Sequence, residues 1–259
     1  MFIDSHCHID FPELSARLPE ILANMADNQV THALCVCVDL PDFPRVLAIA
    51  EENDNVFASV GVHPDYPDTP EPDVAQLVDM ARHPKIVAIG ETGLDYYRLD
   101  GDLEWQRERF RTHIRASRAS GKPLIIHTRS ASADTIRLMR EEGAGTVDGG
   151  AGGVMHCFTE SMEVAEAALA MGFYISFSGI VTFKSAKDLQ AVARAVPLER
   201  MLIETDSPYL APVPYRGKVN QPGYVRHVGE FIAGLKGVPV EQVARQTTQN
   251  FFELFNISR

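Results

Sequence analysis

An α/β fold of the closed (β/α)8 TIM-barrel type is what this chain predicts, and three observations predict it. Short apolar runs, many of them β-branched, occur eight times along the sequence. Stretches with the 3.6-residue spacing of amphipathic helices separate them. The length, 259 residues, is one at which such a barrel forms a single domain, so 1–259 reads as one unit. Strands that alternate with helices pair in parallel through right-handed crossovers. A doubly wound open sheet is the runner-up arrangement of the same elements.

The elements follow in order. Phe-Ile-Asp at 2–4 is the first strand, and 13–28 the first helix. Ala-Leu-Cys-Val-Cys-Val at 33–38 is the second strand, followed by a helix at 42–52. The third strand, 56–62, precedes a helix at 72–82. Ile-Val-Ala-Ile-Gly at 86–90 is the fourth strand, with a helix at 103–120. Leu-Ile-Ile at 124–126 is the fifth, with a helix at 133–142. The sixth strand is 154–156 and its helix 161–171. The seventh is 173–176 and its helix 186–196. Met-Leu-Ile-Glu at 201–204 is the eighth, and two helices follow it, 226–235 and 240–255. The Gly-rich stretch 143–153 reads as a loop. It lacks the Gly-Lys-Ser/Thr of a phosphate-binding loop. Pro and Gly concentrate at 211–223, a long loop after the last strand.

Composition narrows the function. A hydrophobic content of 45% excludes a largely disordered chain. No apolar run reaches membrane-spanning length, and no signal peptide is visible, so no membrane association is expected. The four cysteines, Cys7, Cys35, Cys37 and Cys157, read as free thiols of a reducing, cytoplasmic compartment rather than a disulfide framework. A net charge of −11 argues against a broad basic footprint for duplex binding. It does not exclude a nuclease, because bound divalent cations and a few arginines can hold phosphate locally. No helical face demands an obligate protein partner.

The chemistry sits at strand ends. Side chains alternate faces along a strand, so His6 and His8 project to one side and can reach one ion. Glu91, His127, His156 and Asp206 each follow another apolar run. In a barrel these ends converge on the face where active sites are built. Singly, each has an ordinary explanation: a core histidine, a helix cap, a turn aspartate. Together, four imidazoles and two carboxylates exceed what one tetrahedral zinc needs and suit two ions sharing a carboxylate. Nitrogen-rich ligation favours zinc, with magnesium or manganese as alternatives. Asp4 is in phase with His6, and Glu204 with Asp206. Either acid can orient a ligand imidazole or serve a hydrogen bond inside the barrel.

Seven blocks carry a resemblance: Asp4-Ser5-His6-Cys7-His8, Val60-Gly61-Val62-His63-Pro64, Gly90-Glu91-Thr92-Gly93-Leu94-Asp95-Tyr96-Tyr97, His127-Thr128-Arg129, His156-Cys157-Phe158, Glu204-Thr205-Asp206-Ser207-Pro208-Tyr209 and Arg216-Gly217-Lys218-Val219-Asn220-Gln221-Pro222. In that order, nearly end to end, they resemble the TatD family of metal-dependent deoxyribonucleases. The resemblance implies a distorted TIM barrel of the amidohydrolase superfamily with two divalent metal cations. It places His6, His8 and Asp206 on one metal and His127 and His156 on the other, with Glu91 bridging. The implied activity is hydrolysis of DNA phosphodiesters, often 3′→5′ on a single strand, so DNA is the expected partner. Asp206 orients the attacking water and, with Glu91, forms the expected catalytic pair.

His63, at the end of the third strand, touches substrate phosphate or the attacking water, or is a structural histidine before proline. Arg129, Arg216 and Lys218 can clamp phosphate, with solvated loop charge the alternative for Lys218. Tyr96, Tyr97 and Tyr209 can stack on unpaired bases, or Tyr97 can pack a loop. The same metal set also suits a carboxyl ester or amide, such as an aminoacyl ester on a nucleic acid end. A metal-stabilised scaffold without turnover is the non-enzymatic alternative.

Overall fold

Parallel pairing runs in sequence order through eight strands of the computed structural model, which describes residues 1–97, 99 and 101–258. The strands are β1 (Phe2–Cys7), β2 (Val30–Cys35), β3 (Val56–Val60), β4 (Ile86–Asp95), β5 (Leu124–Arg129), β6 (Gly153–Met155), β7 (Tyr174–Phe177) and β8 (Met201–Ile203). The ring closes between β8 and β1 through one short bridge, Cys7 against Ser207. There the His8 amide donates to the Ser207 carbonyl at 2.8 Å, and the Asp206 amide to the His6 carbonyl at 2.9 Å. Side chains finish the seam. Asp4 accepts from the Thr205 amide (2.8 Å) and hydroxyl (2.5 Å), and Ser5 donates to the Ile203 carbonyl (3.0 Å). The result is a nearly closed (β/α)8 barrel, as the alternation of elements predicted, and not an open sheet.

All eight expected strands form, with shifted ends. The largest shift is in β4, which continues five residues past Gly90 because 92–95 pair with 126–129 of β5. In Glu-Thr-Gly-Leu-Asp only Thr92 favours a strand, and the ladder overrides the contrary preference of Gly and Asp. The first expected helix is two, Pro12–Ser15 and Leu18–Asp27. Pro19 falls in the first turn of the second, where its missing N–H removes no hydrogen bond. Val74–Met80 starts later than expected because Asp73 caps it, accepting from the Gln76 amide at 2.8 Å.

One buried cluster takes Ile3, Leu34, Val87, Ile125, Val154, Tyr174 and Leu202 from seven strands, with Phe57 of β3 packed against it. In a barrel wrapped by helices, side chains from all eight strands meet only in the interior. Phe251 and Phe255, at the C-terminal helix Val240–Leu254, close that interior. The larger cluster lies between strands and helices. Cys7, Cys35 and Cys37 are buried free thiols, and burial pushes Cys37 up to about 12. Among the described residues no helix is long and apolar enough to cross a membrane.

A helix also pins the loop after β3. His113, in Glu104–Ser120, is fully buried, accepts from the Val62 amide at 3.0 Å and donates from Nδ1 to the Arg109 carbonyl at 2.8 Å. Burial holds the imidazole down at about 4, against an ordinary value of 6.5. Below pH 6.5 the unfolded chain takes a proton that the folded chain refuses. The contribution is therefore full above pH 6.5 and fades as pH falls towards 4, by about 3 kcal/mol in total. Urea titrations of wild type and His113→Gln across that window should show a shallower pH dependence in the variant. Parallel curves would refute it.

Candidate active site

Glu91 is the hub. It sits midway along β4, 2% exposed, and each carboxylate oxygen faces a different set of nitrogens. Oε2 lies 3.3 Å from His6 Nε2 and 3.9 Å from His8 Nε2. Oε1 lies 2.8 Å from His156 Nε2, 3.3 Å from His63 Nε2 and 3.4 Å from His127 Nδ1. Asp206 Oδ1 approaches the first set, 3.7 Å from His6 Nε2 and 3.4 Å from His8 Nε2. The six residues expected as ligands thus converge, and His63 joins them. Three overlapping groups could each hold an ion: His6, His156 and Asp206; His6, His8 and Glu91; His63, Glu91 and His127.

The local backbone explains the aim. His6 lies in β1 and His127 in β5, while His156 directly follows β6 and Asp206 follows β8. Cys157 (φ 41°) and Asp206 (φ 56°) both adopt the left-handed region, uncommon outside glycine and concentrated at functional sites.

The donor set fits a cation. His6 Nε2 and His8 Nε2 are only 3.3 Å apart, and the rings of His6 and His156 stack at 3.9 Å. His156 Nε2 is buried beside Glu91, yet in no hydrogen-bonding geometry, and His6 Nδ1 is buried without a partner. Behind three rings stands an acceptor. His8 Nδ1 is 3.1 Å from the Val36 carbonyl, His156 Nδ1 3.2 Å from Glu204 Oε1, and His127 Nε2 3.0 Å from Asp95 Oδ2. Each fixes the ring proton on the far nitrogen and turns a lone pair towards Glu91.

Electrostatics agree. Burial pushes the Glu91 carboxyl up, but His156, His63 and His6 outweigh it and hold the group well below the usual carboxylate range. Burial likewise raises Asp206, and the close approach of the His8 imidazole, with His6 and His156 beside it, brings it below its ordinary value.

Two acids suggested by phase behave differently. Glu204 holds an imidazole, His156. Asp4 holds backbone and hydroxyl groups, the Thr205 contacts and the His6 amide at 3.3 Å. β1 shifts register between Asp4 and Cys7, so strict alternation breaks there. Asp95 is the acid that the sequence reading missed. The signal was its phase with Glu91, four residues along a strand that continues farther than its composition suggests.

Above the carboxylates opens a cavity of about 700 Å³. His63, Arg129 and Tyr209 line it, together with Phe11, Tyr66 and Cys157. Phe11 stacks on His8 at 4.8 Å and meets Tyr209 edge-on at 6.3 Å. Arg129 lies over the exposed Tyr97 ring at 3.8 Å. Tyr96 points away from the cavity, against expectation: its hydroxyl donates to Asp134 Oδ2 at 2.8 Å and accepts from Arg107 at 3.1 Å. Arg216 lies over Phe183 at 4.3 Å and Lys218 over Tyr215 at 5.8 Å, and neither lines the cavity. Asn220 anchors their loop, donating to the Thr205 and Tyr209 carbonyls at 2.9 and 2.6 Å.

Comparison with known proteins accords with this geometry. The family model described as TatD related DNase matches residues 3–256. The chain is 49% identical over 258 residues to the uncharacterized metal-dependent hydrolase YcfH of Escherichia coli, covering 98% of this chain and 96% of that one. It is 41% identical to the uncharacterized metal-dependent hydrolase YabD of Bacillus subtilis, over the full length of both. Among solved structures, the TatD homolog YjjV of Escherichia coli superimposes with a TM-score of 0.92 at 27% identity, covering 99% of this chain and 98% of that one.

Proposed function

The chain belongs to the TatD family of metal-dependent hydrolases, and on that premise we propose that it cleaves DNA phosphodiester bonds, working 3′→5′ from single-stranded ends. The observation that carries this is Glu91, whose two oxygens each face their own group of imidazoles. Such a carboxylate suits a bridge between two divalent cations, one held by His6, His8 and Asp206, the other by His127 and His156. Zinc is favoured by the nitrogen-rich donors, with magnesium or manganese as alternatives. Bound there, the cations would lower the pKa of the attacking water and offset charge on the phosphoryl oxygens.

The chain's own groups do the rest. Asp206 orients the water and accepts its proton. The Arg129 guanidinium makes no hydrogen bond or ion pair among the described residues, and it is the cavity's candidate phosphate clamp. Tyr209 and Phe11 offer ring faces that tolerate any base. The cavity is of a size that encloses small ligands, which suits an unpaired strand end better than the body of a duplex. A reaction confined to the cytoplasm accords with the four free thiols.

Metal-stripped protein resupplied with zinc, manganese or magnesium and given end-labelled single-stranded DNA should yield products shortened stepwise from the 3′ end. Internal fragments would refute the exonuclease part. Cleavage of aminoacyl or other carboxyl esters with DNA left intact would overturn the nuclease reading.

A further inference from the structure

His63 stands among the candidate ligands by distance, yet the partner behind its ring differs from theirs. Its Nδ1 accepts a hydrogen bond from the Asp65 amide at 3.0 Å. A ring nitrogen that accepts an N–H holds a lone pair, so the single proton of the neutral ring is on Nε2. That is the nitrogen facing Glu91 Oε1 at 3.3 Å. His8, His127 and His156 carry the opposite arrangement, with an acceptor behind and a lone pair in front. His63 Nε2–H therefore has a proton to give and no lone pair for a cation.

The cause is local sequence. In His63-Pro64-Asp65 the proline has no N–H, so the first amide available to the ring is that of Asp65. The chain repeats the turn at His83-Pro84-Lys85, far from any candidate ligand group. There the Lys85 amide donates to His83 Nδ1 at 3.3 Å, and His83 Nε2 faces Glu51 Oε1 at 3.1 Å. The same tautomer, donating to a carboxylate, appears at a histidine that belongs to none of the candidate cation groups among the described residues. At His63 the turn is also clamped. The His63 amide donates to the Val38 carbonyl at 2.9 Å, the His63 carbonyl accepts from Arg109 at 3.1 Å, and His113 holds the preceding amide.

Resting on the two-cation reading above, we propose that His63 is not a metal ligand but a catalytic hydrogen-bond donor, whose Nε2–H is presented to a non-bridging phosphate oxygen of the substrate. Its ring lines the cavity beside His127, with centroids 4.5 Å apart, so an oxygen held there lies within its reach. No proton changes owner in this role. The fixed N–H meets charge that grows in the transition state, without reorganising.

Two measurements test it. Wild type, His63→Ala and His127→Ala are reconstituted with zinc or cobalt(II) and their ions counted, with affinities by calorimetry. His63→Ala should keep the wild-type ion count, affinities within about twofold and an unchanged cobalt absorption spectrum, while kcat on single-stranded DNA falls about 10²–10³-fold. His127→Ala should lose an ion. His63→Gln, whose amide N–H restores a donor, should recover part of kcat, and it gives the same ion count if the alanine variant fails to fold. Loss of an ion or a changed cobalt spectrum in the His63 variants would make the residue a ligand and overturn the proposal. A full ion count with full turnover would overturn it too. Wild type that takes up no cation would refute the site reading itself, and that result appears before any variant is compared.

Discussion

Glu91→Gln is expected to abolish uptake of the cation pair and lower hydrolysis roughly 10³-fold or more. The size follows from what the ions supply: several kcal/mol of charge stabilisation, at about 1.4 kcal/mol per tenfold in rate. Glutamine keeps the shape of the side chain. It offers only one oxygen, while five imidazole nitrogens at 2.8–3.9 Å surround the two oxygens of the native residue. One of the two sets would then face an amide nitrogen, which is a donor and repels a cation. Glu91→Asp should also fail, because a chain one methylene shorter cannot serve both sets. Calorimetric titration with zinc, together with the rate on single-stranded DNA, checks both variants. A Glu91→Gln protein that binds two ions and turns over normally would remove the carboxylate from the centre of the site.

The contrast between Glu91 and its neighbours shows how far the sequence could be read. Strand ends were legible because apolar runs and β-branched residues mark them, and the barrel then dictates that those ends converge. The six ligand-type residues followed from that alone. What lay beyond reach was decided by pairing between distant segments. Because 92–95 pair with β5, Asp95 turns to His127 while Tyr96, next in the chain, turns outward to Asp134 and Arg107. Alternation would have separated the two, had the strand been known to continue. The proton positions were out of reach for a different reason. Val36, Glu204 and Asp95 decide which nitrogen of each ring is free, and none is adjacent in sequence to the histidine it serves. His63 is the exception, since its partner is two residues away.

The second large effect is expected at Gly93, through the backbone. Its φ of +131° is closed to L side chains, and an added Cβ would fall inside van der Waals contact of the His127 carbonyl oxygen, with the His127 amide nitrogen 3.1 Å away. Gly93 and His127 are direct partners across the β4–β5 ladder. Neither strand can retreat cheaply: β4 carries Glu91 and Asp95, β5 carries His127, and both are packed on either face. Gly93→Ala therefore meets backbone strain and overpacking together, about 3–5 kcal/mol, a large part of the 5–15 kcal/mol typical of a folded protein. Any relaxation that spares the fold moves His127 relative to Glu91, so ion affinity falls with stability. Gly217→Ala separates the two contributions. Its φ is +84°, but nothing lies within 4 Å of the added carbon, so only backbone strain remains, about 1–2 kcal/mol. Urea unfolding of both variants, with zinc titration of each, makes the comparison. Equal losses of stability, or a Gly93→Ala protein with undiminished zinc affinity, would show that the contact between β4 and β5 is looser than the ladder implies and that His127 is held by Asp95 alone.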